Sequence, residues 1–213
     1  MTPFGELIAT SGRGTLMGNR GRLHDAARRI VRRVVPSYRA WVTCWLEFRG
    51  RHRPVMAPNR YTELFFLDEA TALAAGHRPC GECRRPDLRR FRAAWLHGNP
   101  ERGVASDALT EAIDRELHRD RLAADRRPVT YPADLSALPD GVFVGADGGE
   151  ALLLWRGTLL PWSPAGYGAP RPRPGRQRVT VLTPRSTVAA IAAGYTPAVH
   201  PTAARAGAPG SGG

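Results

Sequence analysis

The sequence predicts an α+β protein in which helices and strands are concentrated in different parts of the chain. Apolar residues recur at helical spacing within residues 22–35 and 105–124, whereas the last third carries short apolar runs separated by glycine-containing turns. With 213 residues, 42% of them hydrophobic, the chain can bury a sizeable core. We expect four parts: an N-terminal α/β module (1–100), a central helix with a proline-rich connector (101–140), a β-rich subdomain packed on the module (141–201) and a disordered tail (202–213).

The N-terminal module is expected to combine one basic helix with several short strands. The helix is predicted over residues 22–35 and ends at Pro36, because proline cannot continue a helix. Residues 39–48 are rich in β-branched and aromatic side chains, which favours a strand, and 53–56 are expected to pair with it. A further short strand is predicted over 62–66.

Two helices are expected on either side of a pair of nearby cysteines. Asp68 is suited to cap a two-turn helix over 69–75, and Gly76 is suited to end it. Pro86 is suited to the first turn of the second helix, which Gly98, Asn99 and Pro100 end. The buried face of the second helix is expected to contain Leu88, Phe91 and Trp95.

The rest of the chain is predicted to contain one long helix and then mainly strands. The helix covers about 105–124, with Ser106 as its N-cap, and 128–140 read as a connector. Strands are predicted over 142–145, 151–156, 158–161 and 178–182, with turns at 147–149 and 156–157, a long loop over 162–168 and a short helix over 186–193.

The charge of the chain points to a polyanionic partner. All 31 basic residues are arginine, against 19 acidic residues, for a net charge of +12. Residues 1–100 hold 18 of the arginines and 8 of the acids, so the excess lies in the first half. A strongly basic surface favours nucleic acid as partner. No long apolar run indicates a membrane span and no signal sequence is evident, so a cytoplasmic location is expected.

The three cysteines predict a metal site. Cys80 and Cys83 form a C-x-x-C pair in a turn that leads into a helix, a spacing that lets two sulfurs bind one zinc ion. Cys44 is the natural third ligand, and His52 is the best candidate for the fourth. An open fourth position, which would permit chemistry, remains an alternative. A thioredoxin-like redox pair and free buried thiols are further alternatives.

Residues 65–85 resemble the metal-binding module of Ada-type DNA repair proteins. The matching residues are Phe65, Phe66, Ala75, Gly76, Arg78, Pro79, Cys80, Cys83 and Arg84. The resemblance implies zinc held by thiolates, a basic DNA-binding surface and one zinc-bound cysteine that accepts a methyl group from a DNA phosphotriester. This chain has only Cys44 where the family has its first cysteine pair, and His77 stands where the family has an aromatic residue. If the methyl transfer persists, Cys44 is the acceptor.

A second local pattern is similar to half of the zinc-dependent nucleoside deaminase signature. That signature joins P-C-x-x-C to a Cys or His two residues before a glutamate. Here Cys44 precedes Glu47 by three residues in a segment predicted to be a strand, so the two side chains would point to opposite faces. The whole chain also resembles a widespread bacterial family in which the Ada-like segment is embedded in a longer fold.

These observations give one main functional hypothesis and one alternative. The main hypothesis is a zinc-binding protein whose basic half contacts nucleic acid, DNA in preference to RNA, in repair or regulation. The phosphate-contact candidates are Arg28, Arg29, Arg32, Arg33, Arg84, Arg85, Arg89 and Arg90. The alternative is a zinc-dependent enzyme or single-turnover alkyl acceptor, with Cys44 as nucleophile or Glu47 in a deaminase-like role.

Overall fold

The computed structural model describes residues 1–31, 38–50 and 54–206, with side chains up to Ala204. Over these residues the chain forms a mixed α+β structure with two sheets and five helices, so the predicted class is confirmed. No helix among the described residues has the length and apolar character needed to cross a bilayer.

The first sheet has four short strands in the order β3-β1-β2-β4. They are β1 (Leu16–Asn19), β2 (Val42–Trp45), β3 (Leu64–Phe66) and β4 (Arg78–Pro79). β1 pairs antiparallel with β2 and β3, whereas β2 and β4 run parallel. The strand predicted over 39–48 is therefore shorter than expected, and the strand predicted over 62–66 is present.

Helix α1 (Glu69–Ala74) connects β3 to β4 and begins as predicted. The Asp68 carboxylate accepts a hydrogen bond from the Thr71 backbone N–H at 2.9 Å, which satisfies a free amide of the first turn. Gly76 follows with a φ of +78°, and a Cβ there would lie 2.6 Å from the Arg121 side chain. Glycine is therefore required at this position both by the backbone conformation and by the space available.

Four further helices complete the described helical part: α2 (Arg85–Gly98), α3 (Thr110–Arg121), α4 (Arg185–Ala192) and α5 (Thr202–Ala206). The predicted face of α2 is buried, with Phe91 and Trp95 fully enclosed. α2 crosses α4 closely, since a Cβ at Gly98 would lie 2.4 Å from the Ala189 carbonyl oxygen.

The second sheet is antiparallel and uses strands from residue 131 onward. Its order is β10-β8-β7-β6-β11-β5, with β9 paired to β8. The strands are β5 (Tyr131–Asp134), β6 (Phe143–Gly145), β7 (Ala151–Trp155), β8 (Thr158–Ser163), β9 (Gly166–Tyr167), β10 (Arg171–Pro172) and β11 (Arg178–Val181). The predicted turn at 156–157 is confirmed, because Arg156 and Gly157 both have positive φ angles between β7 and β8.

One large apolar cluster joins the helices to the second sheet. Phe91 and Trp95 of α2 and Leu117 of α3 pack with Val144 of β6 and Leu154 of β7. A second cluster connects α1 to the other side of the same sheet through Ala70, Phe143 and Leu153. The elements that carry the two nearby cysteines are therefore held against the C-terminal strands.

The helix predicted over 22–35 is wrong for the part of it that is described. Residues 22–31 form a turn closed by a bridge between His24 and Ile30, and Arg28 has a φ of +60°. The Asp25 carboxylate accepts hydrogen bonds from the backbone and side chain of Arg29. This local bonding competes with the helix, as short acidic side chains commonly do. Residues 32–35 lie outside the described part of the chain.

Other predicted elements need smaller corrections. α3 begins at Thr110 rather than near 105, and its N-cap is Leu109, which is 76% exposed, and not Ser106. Met56 lies in a turn with a positive φ, so residues 54–56 do not pair with β2, and Arg53 falls outside the described residues. The predicted tail begins with helix α5 over 202–206.

Two predicted loops contain strands. The connector predicted over 128–140 holds β5 and a 3-10 turn at Leu135–Ala137. β5 tolerates Pro132 because it lies at the edge of its sheet, where an amide donor can be absent. The loop predicted over 162–168 is largely the hairpin of β8 and β9.

Candidate metal centre

The structure brings all three cysteines to one point. The sulfur atoms of Cys44, Cys80 and Cys83 lie within 4.8 Å of one another. Each of the three residues is partly exposed, so the cluster lies at the surface and not in the core. This arrangement is compatible with a bound metal ion, because thiolates of this spacing are the preferred ligands of zinc.

Strand register explains how Cys44 meets Cys80 across 36 positions of sequence. Thr43 of β2 is paired with Pro79 of β4 in the parallel ladder, so the next residues of the two strands are neighbours. The Cys80 N–H continues the ladder by donating to the Thr43 carbonyl at 2.9 Å. Adjacent positions on paired strands share a face, which places both sulfurs on the same side of the sheet.

Cys83 reaches the same point because the chain turns immediately after Cys80. The Arg84 N–H donates to the Cys80 carbonyl at 3.2 Å and closes the turn from which α2 begins. The Glu82 N–H points back at the Cys80 sulfur, at 3.3 Å. An amide aimed at a sulfur stabilises the thiolate, which is the form that binds metal.

The three thiols share their protons unequally. Hydrogen bonds from the Cys44 and Cys83 thiols lower the pKa of Cys80, with help from the Glu82 amide. The same contacts, together with burial, raise the pKa of Cys44. Cys80 is therefore the thiol of the three whose ionisation the cluster favours most.

A buried arginine, Arg84, links the elements that carry the cysteines. The Arg84 guanidinium donates to the Glu69 carboxylate at 2.7 Å and to the Thr43 hydroxyl at 2.9 Å. It also bonds Asp87 of α2 at 3.0 Å and lies 4.8 Å from the centre of the Trp45 ring. Arg84 thus joins the strand that carries Cys44 to the helix that follows Cys83.

A second buried ion pair holds β4 in place. Arg78 binds Asp114 of α3 through two hydrogen bonds, at 2.8 and 2.6 Å, and both side chains are buried. The sequence does not indicate the Arg84–Glu69 and Arg78–Asp114 pairs, because in each pair the acid lies in a different element from its arginine. The only hint in the sequence that these two arginines are structural is their position next to Pro79 and Cys83.

The predicted phosphate-contact residues separate into three groups. Arg28, Arg85 and Arg89 are exposed, and Arg29 and Arg90 are exposed but paired with Asp25 and Asp87. The prediction for Arg84 is wrong. This residue is 2% exposed and its guanidinium is paired with Glu69 and Asp87, so it cannot contact a phosphate at the surface. Arg32 and Arg33 lie outside the described residues.

The remaining predicted site residues have different placements. His52 lies outside the described residues. Glu47 is exposed beyond the end of β2 and does not belong to the cysteine cluster. His77 is buried, and its Nδ1 lies 3.1 Å from the Ala75 carbonyl oxygen. Burial lowers the pKa of His77 well below its ordinary value, with Arg20 and Arg121 adding to the effect, so the ring is neutral at pH 7.

Comparison with known proteins gives no match: no family model, curated protein or solved structure is similar to this chain. The site must therefore be interpreted from its own geometry.

Proposed function

We propose that this protein binds one zinc ion through Cys44, Cys80 and Cys83 and contacts nucleic acid, DNA in preference to RNA, with the surface around that site. The observation that carries the proposal is the convergence of three partly exposed sulfur atoms within 4.8 Å, near the ends of β2 and β4. Zinc suits this donor set because thiolate ligands favour it over magnesium or calcium. The fourth zinc ligand would be water, a substrate or a residue outside the described part of the chain.

The surroundings of the cluster support a nucleic-acid surface. Arg85 and Arg89 are exposed on the first turns of α2, directly after Cys83. Phe65 lies on the same face of the sheet as Cys44, through their common partner Met17, and is 43% exposed. Trp45 is 44% exposed on the opposite face. Arginines interspersed with exposed aromatic rings are typical of surfaces that bind phosphates and stack bases. The net charge of +12 acts in the same direction.

The packing of His77 supports the Ada-like interpretation of this segment. Its ring centre lies 4.8 Å from that of Phe66 and 5.2 Å from that of Trp41. A neutral imidazole in this position fills the place of the aromatic residue found in the family. The imidazole therefore packs between two aromatic rings, as an aromatic side chain at this position would.

Purified protein is expected to contain about one zinc ion per chain. All three thiols should resist a thiol reagent until a chelator is added, because a metal-bound thiolate is protected from it. Elemental analysis and thiol titration before and after chelation test this. Metal-free protein with three reactive thiols that fails to take up added zinc would refute the site.

DNA binding is expected to weaken steeply between about 50 and 200 mM salt, because phosphate contacts release counterions. Changing both Arg85 and Arg89 to alanine should reduce the slope of log affinity against log salt by about 2. Arg178→Ala, an exposed arginine of the second sheet, is the matched control. Fluorescence anisotropy with a short duplex and an RNA of the same sequence measures both effects. Equal slopes in all three proteins would contradict this surface.

A second candidate function is methyl acceptance by Cys44. It is favoured by the exposure of the cluster and by the absence of a fourth ligand among the described His, Cys, Asp and Glu residues. The Cys44 sulfur would attack the methyl carbon of a DNA methyl phosphotriester, forming the S–C bond as the C–O bond breaks and releasing the phosphodiester anion. Mass spectrometry after incubation with such DNA should show one added methyl group on Cys44. Unmodified, zinc-loaded protein would exclude it. The deaminase alternative has no comparable support, because Glu47 lies outside the cluster.

A further inference from the structure

A second cluster of functional groups lies beside the first sheet, around Trp41. The guanidinium carbons of Arg121 and Arg20 lie 4.0 and 4.9 Å from the centre of the Trp41 ring. Arg20 directly follows β1, Trp41 directly precedes β2, and Arg121 ends α3. Three separate elements therefore bring two cations to one indole.

Among the residues that the structure describes, no carboxylate is paired with either arginine. Arg121 is 4% exposed and donates only to uncharged groups: the carbonyls of Gly76 and Arg39, and the His118 ring. Among the described residues, neither Arg121 nor Arg20 forms an ion pair. The nearby Asp114 carboxylate is already held by Arg78. Buried cations are normally paired, because removing a charge from water is costly.

Three N–H donors of this cluster also lack a hydrogen-bond acceptor. Within the described residues, the Nε atoms of Arg20 and Arg121 and the indole nitrogen of Trp41 are buried without a hydrogen-bond partner. Native proteins leave few such donors unsatisfied. Burial lowers the pKa of Arg121 to about 9 and that of Arg20 to about 10, which reflects the same unfavourable environment. The cluster is thus short of negative charge and of acceptors.

A cavity of about 320 Å³ opens beside these groups. Its polar lining comes from Glu6, Arg20, Trp41, Arg121, Arg127 and Thr130, and apolar residues such as Phe4 and Leu182 form most of the rest. Glu6 is the single acidic residue on this wall within the described chain. Arg20 and Trp41 also line a larger groove of about 1520 Å³.

We propose that this cavity binds a small molecule carrying one phosphate group, held by Arg20 and Arg121. A guanidinium suits this role because its planar donors can match phosphate oxygens in pairs, and Arg20 is the residue that can do so. The terminal nitrogens of Arg121 already donate to Gly76, Arg39 and His118, so Arg121 contributes mainly its positive charge. A volume of about 320 Å³ falls within the usual range for small-molecule sites and is too small for a nucleic-acid strand. The apolar walls would contact the organic part of the ligand. This site is separate from the proposed zinc centre and does not depend on it.

Calorimetric titration with phenyl phosphate tests the proposal, with inorganic phosphate as the minimal ligand. We expect one saturable site per chain, with phenyl phosphate bound about tenfold more tightly because its ring enters the apolar part. Arg20→Gln should weaken binding at least tenfold, since it removes a charge-assisted hydrogen bond. Arg115→Gln removes one exposed charge from α3 and should leave the affinity unchanged.

A second measurement does not depend on any variant. Wild-type protein should unfold at a higher temperature in millimolar phenyl phosphate than in sodium chloride of equal ionic strength, because a ligand of the folded state stabilises it and the general salt effect of phosphate is negligible at this concentration. Failure of wild-type protein to bind phenyl phosphate at millimolar concentration would overturn the proposal, as would equal affinity in the Arg20→Gln and Arg115→Gln variants. Loss of DNA binding or of zinc leaves these readings unaffected, so the two proposals can fail separately.

Discussion

Cys80→Ser is expected to abolish stoichiometric zinc binding and to lower the melting temperature by about 8–16 °C. Cys80 is the cysteine that both other thiols contact, and its backbone holds β4 to β2 and begins the turn into α2. A serine hydroxyl is not ionised at pH 7 and cannot replace a thiolate ligand. If free zinc is about 1,000-fold above its dissociation constant, the lost stabilisation is about 4 kcal/mol. For a chain of this length that energy corresponds to the stated shift.

Chelated wild-type protein is the matched control for this variant. If metal binding accounts for the whole effect, Cys80→Ser and chelated wild type should melt at the same temperature, and added zinc should restore only the wild type. Differential scanning calorimetry with parallel elemental analysis measures both quantities. A variant that retains about one zinc per chain would contradict the assignment of Cys80 as a ligand.

Glu69→Ala is expected to reduce the free energy of unfolding by about 3–5 kcal/mol, because it leaves the buried Arg84 charge without its main partner. Glu69 is 2% exposed and accepts hydrogen bonds from Arg84, from the Tyr195 hydroxyl at 2.6 Å and from the Ala198 amide at 2.9 Å. The carboxylate therefore joins three parts of the chain. The pKa of Arg84 is raised because Glu69 and Asp87 outweigh the effect of burial.

Two further variants define the origin of that loss. Glu69→Gln keeps an acceptor oxygen for Tyr195 but removes the charge, so its effect should be intermediate. Glu111→Ala removes an exposed carboxylate from α3 and should change stability by less than about 0.5 kcal/mol. Urea unfolding at pH 7 gives all three values. A loss below 1 kcal/mol for Glu69→Ala would show that Arg84 finds another partner.

Local signals were sufficient to predict the cysteine cluster and many of the elements around it. The C-x-x-C pair and Cys44 are visible in sequence, and Asp68, Pro86 and the apolar face of α2 follow from capping and periodicity. The helix over 22–35 was predicted from its apolar spacing, but in the described part the Asp25 side chain closes a turn with Arg29 instead.

Long-range pairing explains what the sequence could not indicate. Arg84 belongs to a basic run and was expected at the surface, yet its partner Glu69 lies in another helix and draws it inside. Arg20 and Arg121 are 101 positions apart, and only the fold places both beside Trp41. The sequence predicts a connector where β5 lies, because a proline normally interrupts a strand. Pro132 is tolerated there only because β5 lies at the edge of its sheet, which the sequence does not indicate.

The hydrogen bonds between α1 and the last described segment have a consequence for biosynthesis. The Asp68 and Glu69 carboxylates accept hydrogen bonds from the backbone amides of His200 and Ala198. The position of Glu69, the partner of Arg84, therefore depends on residues near position 200. A ribosome releases the cysteine-bearing segment long before those residues emerge. Until then Glu69 lacks two of its donors, and the turn beneath Cys83 lacks full support. Stable metal loading is therefore expected after translation of residue 200 and not during emergence of the first half.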